Sequence, residues 1–330
     1  MTNLYCYEAT PADQAELKIA LTGLEPIFIE APLSAANVHS DAAIICVFVS
    51  SKVTAEVMAA MPELKLIATR STGTDHIDTA YAAAHGVKIA SVATYGEHTV
   101  AEYSFALLLA LGRKIAGAQA LMIGGDASHD DLTGIELFGR TLGIIGTGRI
   151  GLNTARIGRG FGMNVIGYDP YPNHNLAAEI GFSYASLDEV LATSDVISLH
   201  VPATPETRHL INQHAFSLMK PTAIIVNSAR GEIIHTDALI EALQNGHLAG
   251  AALDVVEDER LASLAEELSA VRQHHSREAL RISVLERLPG VLMTNHNAYN
   301  TIEARQRIAA MTAHNIRDFI STSTSEAHHG

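Results

Sequence analysis

Residues 142–169, "LGIIGTGRIGLNTARIGRGFGMNVIGYD", constrain the fold of this chain more than any other stretch. An apolar run opens it. Gly146-Thr147-Gly148-Arg149-Ile150-Gly151 then fits the pattern G-x-G-x-x-G, a helical pattern follows, and a second apolar run ends in Asp169. Each glycine has a task in such a turn. Gly146 permits the tight bend, Gly148 lets the backbone approach a pyrophosphate, and Gly151 lets the helix pack closely on the strand. A helix N-terminus offers free N–H groups and partial positive charge to phosphates. Asp169 stands where a carboxylate binds the adenosine ribose hydroxyls and repels a 2′-phosphate. No arginine or lysine follows within "DPYPNHN". The stretch therefore predicts a dinucleotide site built for NAD, with Gly146, Gly148, Arg149, Ile150, Gly151 and Asp169 as cofactor-binding residues.

The rest of the chain supports that architecture. Candidate strands at 4–7, 26–29, 43–49, 64–69 and 88–92 alternate with helical stretches such as 12–21 and 54–61. Continuous Val/Ile/Leu-rich strands separated by helices imply a parallel sheet covered on both faces. A segment from about 99 to 121 reads as one long helix, apolar almost all round, and so as buried. A second series starts at Thr141, with strands expected at 141–146, 164–169, 196–201, 223–229, 248–255 and 291–294. Six strands make a complete doubly wound nucleotide-binding sheet. The link 257–288 is long, charged and mostly helical in pattern, and reads as an excursion near a functional edge. A last helix, from 301 to about 319, precedes a polar tail. The fold class is α/β.

Composition removes several alternatives. At 330 residues, two domains are expected. With 48% apolar and 18% charged residues the chain can bury sizeable cores. A net charge of −14 argues against a nucleic-acid partner. The first residues read as no secretory signal, and no apolar run is long enough to suggest a membrane partner. Cys6 and Cys46 lie in expected strands and read as reduced, buried thiols of a cytoplasmic protein. The 17 histidines include no HExxH pair and no zinc-site spacing, so no metal is expected.

Ligands of open parallel sheets gather at the C-terminal strand ends. Three chemically distinct groups follow expected strands there: Arg230 in "NSARG", the acids Asp254, Glu257 and Glu259 in "LDVVEDE", and His296 in "TNHNAYN". A guanidinium fork binds a carboxylate in bidentate fashion. A histidine exchanges a proton near neutral pH, and a carboxylate beside it favours the imidazolium. With hydride from NADH, this set reduces a 2-oxo acid to a 2-hydroxy acid.

Six motifs carry a resemblance. "RSTGTDHID" (70–78), "GIIGTGRIG" (143–151), "HVPATPETRHLIN" (200–212), "VNSARGEIIHTDAL" (226–239), "GAALDVVEDE" (250–259) and "NHNAYNT" (295–301) resemble, in order, those of the D-isomer-specific 2-hydroxyacid dehydrogenase family, most closely its D-lactate dehydrogenase branch. The resemblance implies two Rossmann-like or flavodoxin-like doubly wound domains with an active-site cleft between them. The substrate domain would be discontinuous, residues 1–100 and 297–330, with the NAD-binding domain at 101–296. It implies that Arg230 binds the substrate carboxylate, that His296 is the acid–base group and that Glu259 is its partner, Glu257 being the lesser choice. Asp254 and Val100 would lie by the nicotinamide, His200, Val201 and Pro202 by the adenosine, and Ala229 by the cofactor. Thr72 and Gly73 would meet the substrate carboxylate, and Tyr95 and Tyr299 would border its side chain. A homodimer is implied, with the helix from about 101 as a subunit contact.

One departure stands out. The family places proline before the histidine, and this chain has Asn295, which leaves the approach to His296 less restricted. Pyruvate and D-lactate are the expected pair. Glyoxylate, hydroxypyruvate, an aromatic 2-oxo acid, or a dinucleotide-sensing role with little turnover are the alternatives.

Overall fold

The computed structural model describes residues 3–257 and 276–326. The chain divides into two compact units, Met1–Tyr95 with Asn300–Gly330, and Gly96–Tyr299.

The first unit is built on β1 (Leu4–Cys6), α1 (Pro11–Ala20), β2 (Ile27–Phe28), β3 (Ile44–Val47), α2 (Ala55–Ala59), β4 (Leu66–Thr69), α3 (Thr79–Ala84) and β5 (Lys88–Ala90). The strands form one parallel sheet in the order β2-β1-β3-β4-β5. Most are buried on both faces, which explains the runs of Ile, Val and Cys without alternation. One face packs on α1 and the C-terminal helix Ile302–Glu326 through Leu17, Leu21, Ala309, Ala313 and Ile316. α1 starts where Thr10 and Asp13 close a capping box ahead of Pro11. Cys6 and Cys46 are free thiols, fully buried and opposite each other in register.

The second unit contains α4 (Glu97–Gly112), α5 (Ile115–Ile123), β6 (Thr141–Ile145), α6 (Arg149–Gly160), β7 (Asn164–Tyr168), α7 (His174–Ile180), β8 (Ser183–Tyr184), α8 (Leu187–Thr193), β9 (Val196–Leu199), α9 (Gln213–Leu218), β10 (Ile224–Asn227), α10 (Thr236–Gln244), β11 (Gly250–Leu253), α11 (Ser276–Arg287) and β12 (Val291–Met293). Its sheet is parallel throughout, in the order β12-β11-β10-β9-β6-β7-β8. The chain leaves β6 towards β7 and returns to pair β9 on the other side. The end of β6 is thus the topological switch point, where such sheets bind ligands.

Three expectations change. The sheet has a seventh strand, β8, whose two residues are too short for a periodic signal. The long helix is broken: α4 and α5 meet at 58°, with Lys114 in the left-handed region (φ 51°). The break has a tertiary cause. Ile135 packs against Gly112 and its N–H takes the Gly112 carbonyl (2.8 Å), while Lys114 Nζ reaches the Asp131 carbonyl. The burial also stops at the break. α4 buries Phe105, Leu107 and Leu108, whereas α5 buries nothing and exposes Ile115, Met122 and Ile123.

No single helix among the described residues is long and apolar enough to cross a membrane; the bent α4–α5 pair passes only on combined length and composition. In the charged link, α11 covers 276–287, buries Ile282 and Leu285, and pairs Arg281 with Asp237 of α10.

Candidate active site

β6 runs into Gly146 at φ 92°, a conformation open to glycine. A side chain there would also strike the His200 backbone at 2.7 Å. At Gly151 a Cβ would lie 2.0 Å from the Gly146 carbonyl oxygen, so α6 can sit this close to the turn only with glycine. Gly148 differs: a Cβ would meet nothing within 4 Å. It caps α6 without a side-chain hydrogen bond, so the helix N-terminus faces open space with uncapped N–H groups. Arg149 turns aside to Glu97 (3.4 Å), and Ile150 follows it in the first turn.

Asp169 closes the cradle. Its Oδ2 accepts the Thr147 N–H (2.7 Å) and hydroxyl (3.0 Å), and its Oδ1 the Tyr171 N–H (2.9 Å). Across the switch point, β9 leads into His200, Val201 and Pro202. The His200 N–H donates to the Ile145 carbonyl (2.7 Å), and its Nε2 lies 2.9 Å from Ser198 Oγ. Burial pushes this imidazole down to about 3, so it is neutral at physiological pH. An open glycine backbone, an uncapped helix N-terminus and a fixed carboxylate at the second strand end fit a dinucleotide with free ribose hydroxyls.

The ends of β10, β11 and β12 are tied side by side. The Asp254 N–H donates to the Asn227 carbonyl (2.9 Å), and the His296 N–H to the Asp254 carbonyl (2.8 Å). After β10, Asn227 shapes the turn that carries Arg230: its amide donates to the Arg230 carbonyl (2.9 Å) and its oxygen accepts from the Ala229 N–H (3.1 Å). Arg230 is extended, with Nη1 on the Ala229 carbonyl (2.8 Å). Ser228 donates to Ser104 (2.7 Å), whose own proton goes to the Val100 carbonyl (2.8 Å), linking this turn to α4.

Asp254 is fully buried. Its Oδ1 accepts the Thr294 hydroxyl (2.6 Å) and the Asn297 N–H (2.8 Å), and its Oδ2 the Ala298 N–H (2.8 Å). Residues 294–298 therefore fold round one carboxylate, with His296 at its centre in the left-handed region (φ 54°). For a non-glycine residue that conformation persists only where its surroundings impose it. Asp254 imposes it here.

Glu257 points elsewhere. It accepts from Arg208 (2.9 Å), His209 (2.8 Å) and Thr236 (3.3 Å). Glu259 lies outside the described residues. Among those described, no group of His, Cys, Asp and Glu could hold a metal ion.

In the first unit, the segment after β4 is fixed by a hydroxyl relay. Ser71 donates to the Gly73 carbonyl (2.7 Å) and accepts from Thr69 (2.7 Å), which lies 3.1 Å from His76 Nε2. Thr72 donates to the Val92 carbonyl (2.8 Å), and Gly73 is partly exposed beside it. Arg70 is buried, with its guanidinium on the carbonyls of Tyr7 and Glu8. Tyr95 is half-buried and holds Arg307 through its carbonyl (3.0 Å). Tyr299 is half-buried at the end of the second unit. Sequence reasoning missed Asn227, Ser104 and Thr147, and missed Asp254 as the clamp of the histidine loop. A buried acid that closely follows an apolar strand was the available signal for Asp254.

The glycine turn fits a dinucleotide, and the tied strand ends hold a guanidinium and an imidazole on β10 and β12 of the same sheet. Comparisons make the class specific. The family profile described as "D-isomer specific 2-hydroxyacid dehydrogenase, NAD binding domain" matches residues 105–298. The chain is similar to a 2-hydroxyacid dehydrogenase homolog of Zymomonas mobilis, 38% identical over 284 residues, 84% of this chain and 83% of that one. Its structure is similar to the pyruvate reductase of Chlamydomonas reinhardtii (TM-score 0.89, 33% identity, 98% and 97% covered). It also resembles the D-lactate dehydrogenase of Aquifex aeolicus complexed with NAD and lactic acid (TM-score 0.88, 36% identity, 98% and 97% covered). The chain belongs to the family of NAD-dependent D-isomer-specific 2-hydroxyacid dehydrogenases.

Proposed function

We propose that this enzyme interconverts a small 2-oxo acid and its D-2-hydroxy acid, with pyruvate and D-lactate as the preferred pair. The observation that carries this reading is the tied row of strand ends: it holds the Arg230 turn and the His296 loop on β10 and β12, with Asp254 between them. Names of similar proteins, a pyruvate reductase and D-lactate dehydrogenases, support the substrate size.

When bound, NADH supplies the hydride. Arg230 receives the substrate carboxylate in its planar fork and draws charge towards the carbonyl. Backbone N–H groups at Thr72 and Gly73 add contacts to the same carboxylate. His296 gives its ring proton to the carbonyl oxygen on reduction and removes it on oxidation. The family resemblance assigns its carboxylate partner to Glu259; Glu257, the lesser choice, is held by Arg208 and His209. Tyr95 and Tyr299 border the substrate side chain and disfavour bulky oxo acids. Val100, Ala229 and Asp254 flank the nicotinamide end, and His200, Val201 and Pro202 the adenosine end. Asp169 accepts from the ribose hydroxyls and turns away a 2′-phosphate.

The remaining readings concern setting. The exposed Ile115, Met122 and Ile123 on α5 suit a second copy of this chain, making a homodimer. Two buried free thiols suit the reducing cytoplasm.

The test is a panel of pyruvate, glyoxylate, hydroxypyruvate and phenylpyruvate, followed by NADH absorbance with the product's chirality assigned. Pyruvate should give the highest kcat/KM, and the product should be D-lactate. His296→Ala should abolish reduction while NADH still binds. Turnover of no 2-oxo acid, or full activity in His296→Ala, refutes the reading.

A further inference from the structure

Tyr184 stands on the edge strand β8, opposite Gly167 of β7. Its ring packs edge-on against Phe182 (5.2 Å) and His174 (5.3 Å). Gly167 carries no Cβ, which would otherwise approach Phe182 at 2.9 Å and Thr147 at 3.1 Å. Thr147, from the glycine turn, and Tyr184, from the sheet edge, therefore meet over the same glycine.

Their hydroxyls form a chain whose direction is fixed by counting protons. The Asn173 N–H donates to Tyr184 Oη (3.1 Å). Tyr184 Oη and Thr147 Oγ1 are 2.7 Å apart. Thr147 Oγ1 lies 3.0 Å from Asp169 Oδ2, a carboxylate oxygen, so the single threonine proton goes there. Tyr184 must then donate to Thr147. The relay runs from Asn173 to Tyr184 to Thr147 to Asp169. At its end, Oδ2 is filled by two donors, the Thr147 hydroxyl and N–H. Oδ1 takes one described donor, the Tyr171 N–H, which leaves it a lone pair for a ligand hydroxyl.

We propose that Tyr184 is a positioning residue for cofactor recognition: its hydroxyl orients Thr147 so that Asp169 turns Oδ1 to the adenosine ribose of NAD. The inference rests on the reading of Asp169 as the ribose ligand. It adds a residue that never touches the cofactor and lies on a strand that sequence periodicity does not mark. Losing the hydroxyl removes both of its bonds in the relay, the one from the Asn173 N–H and the one to Thr147; the second is the one that loosens the carboxylate, and its loss corresponds to an affinity loss of about fivefold.

The test is NADH binding by isothermal titration, the chain having no tryptophan to report by quenching. Tyr184→Phe keeps the ring, and so its packing, and loses only the hydroxyl. It should weaken NADH about fivefold, and the rise should appear in KM for NADH and not in KM for the oxo acid. Thr147→Val should reproduce the loss and Thr147→Ser should restore binding. In an Asp169→Ala background, Tyr184→Phe should cause no further loss. An equal loss in both backgrounds overturns the relay, because it reports packing alone. Unchanged NADH binding in Tyr184→Phe overturns it while sparing Asp169, provided that Asp169→Ala itself weakens NADH. If Asp169→Ala leaves NADH binding unchanged, the ribose reading fails and the relay fails with it.

Discussion

Asp254→Asn should unfold the histidine loop at a cost that can be worked from its hydrogen bonds. Wild-type Asp254 accepts three donors, two on Oδ1 and one on Oδ2, with no exposure to water. Asparagine keeps one acceptor oxygen. If that oxygen takes the place of Oδ1, the new NH2 faces the Ala298 N–H, donor against donor. One charge-assisted bond is lost, a buried N–H is orphaned, and the two surviving bonds lose their ionic strengthening. Together these cost about 2–4 kcal/mol. For a unit of this size, that lowers the thermal midpoint by about 5–15 °C. The assay is thermal unfolding by circular dichroism without NADH, alongside kcat and NADH affinity. The midpoint should fall without cofactor, and kcat should fall with it, because His296 no longer has its left-handed backbone imposed. If Asp254 serves only the nicotinamide, the cofactor-free midpoint stays within about 1 °C of wild type and only NADH affinity and kcat change. That result would refute the clamp.

Three further outcomes follow from the same structure. Gly151→Ala puts a Cβ 2.0 Å from the Gly146 carbonyl and should unfold the turn, whereas Gly148→Ala meets no protein atom and should keep the thermal midpoint while weakening NADH by titration. Asp195 is half-buried, which by itself raises its pKa, but the Thr141 N–H and Lys220 outweigh burial and leave it below its ordinary 3.8. Its contribution to stability is thus present above pH 3.8 and lost as pH falls towards the folded-state value; in denaturant melts Asp195→Asn should be destabilised at neutral pH, and its deficit should shrink below about pH 4. If α5 forms the proposed homodimer contact, Ile123→Lys should shift the protein towards the 35.2 kDa monomer in light scattering; a wild type that is already monomeric, or a dimer unchanged by the substitution, excludes that contact.

Much of this protein was legible in its sequence because the signals are local. Strands 44–47, 66–69, 196–199 and 224–227 are buried on both faces, so each reads as an unbroken apolar run. Gly146 and Gly151 were legible because a side chain is impossible at each, and Asp169 because it follows the next strand. What escaped is what long-range contact decides. Nothing at Lys114 marks a helix break; Ile135 and Asp131, some twenty residues on, make it. The apolar pattern of 115–123 promised burial, yet only packing partners could provide it, and among the described residues none buries a side chain of this helix.

The site divides in the same way. Its sequence by itself determined which chemical groups are present, a guanidinium at 230, an imidazole at 296 and a glycine turn before a helix, since residue type and spacing set these. Tertiary structure alone decided how they are held. Asp254 clamps a loop some forty residues away, and Tyr184 reaches a threonine far back in the chain, because parallel β-strands adjacent in space are distant in sequence. Hydrogen bonds between such strand ends leave no period in the sequence, and they are what turns a list of suitable side chains into a candidate active site.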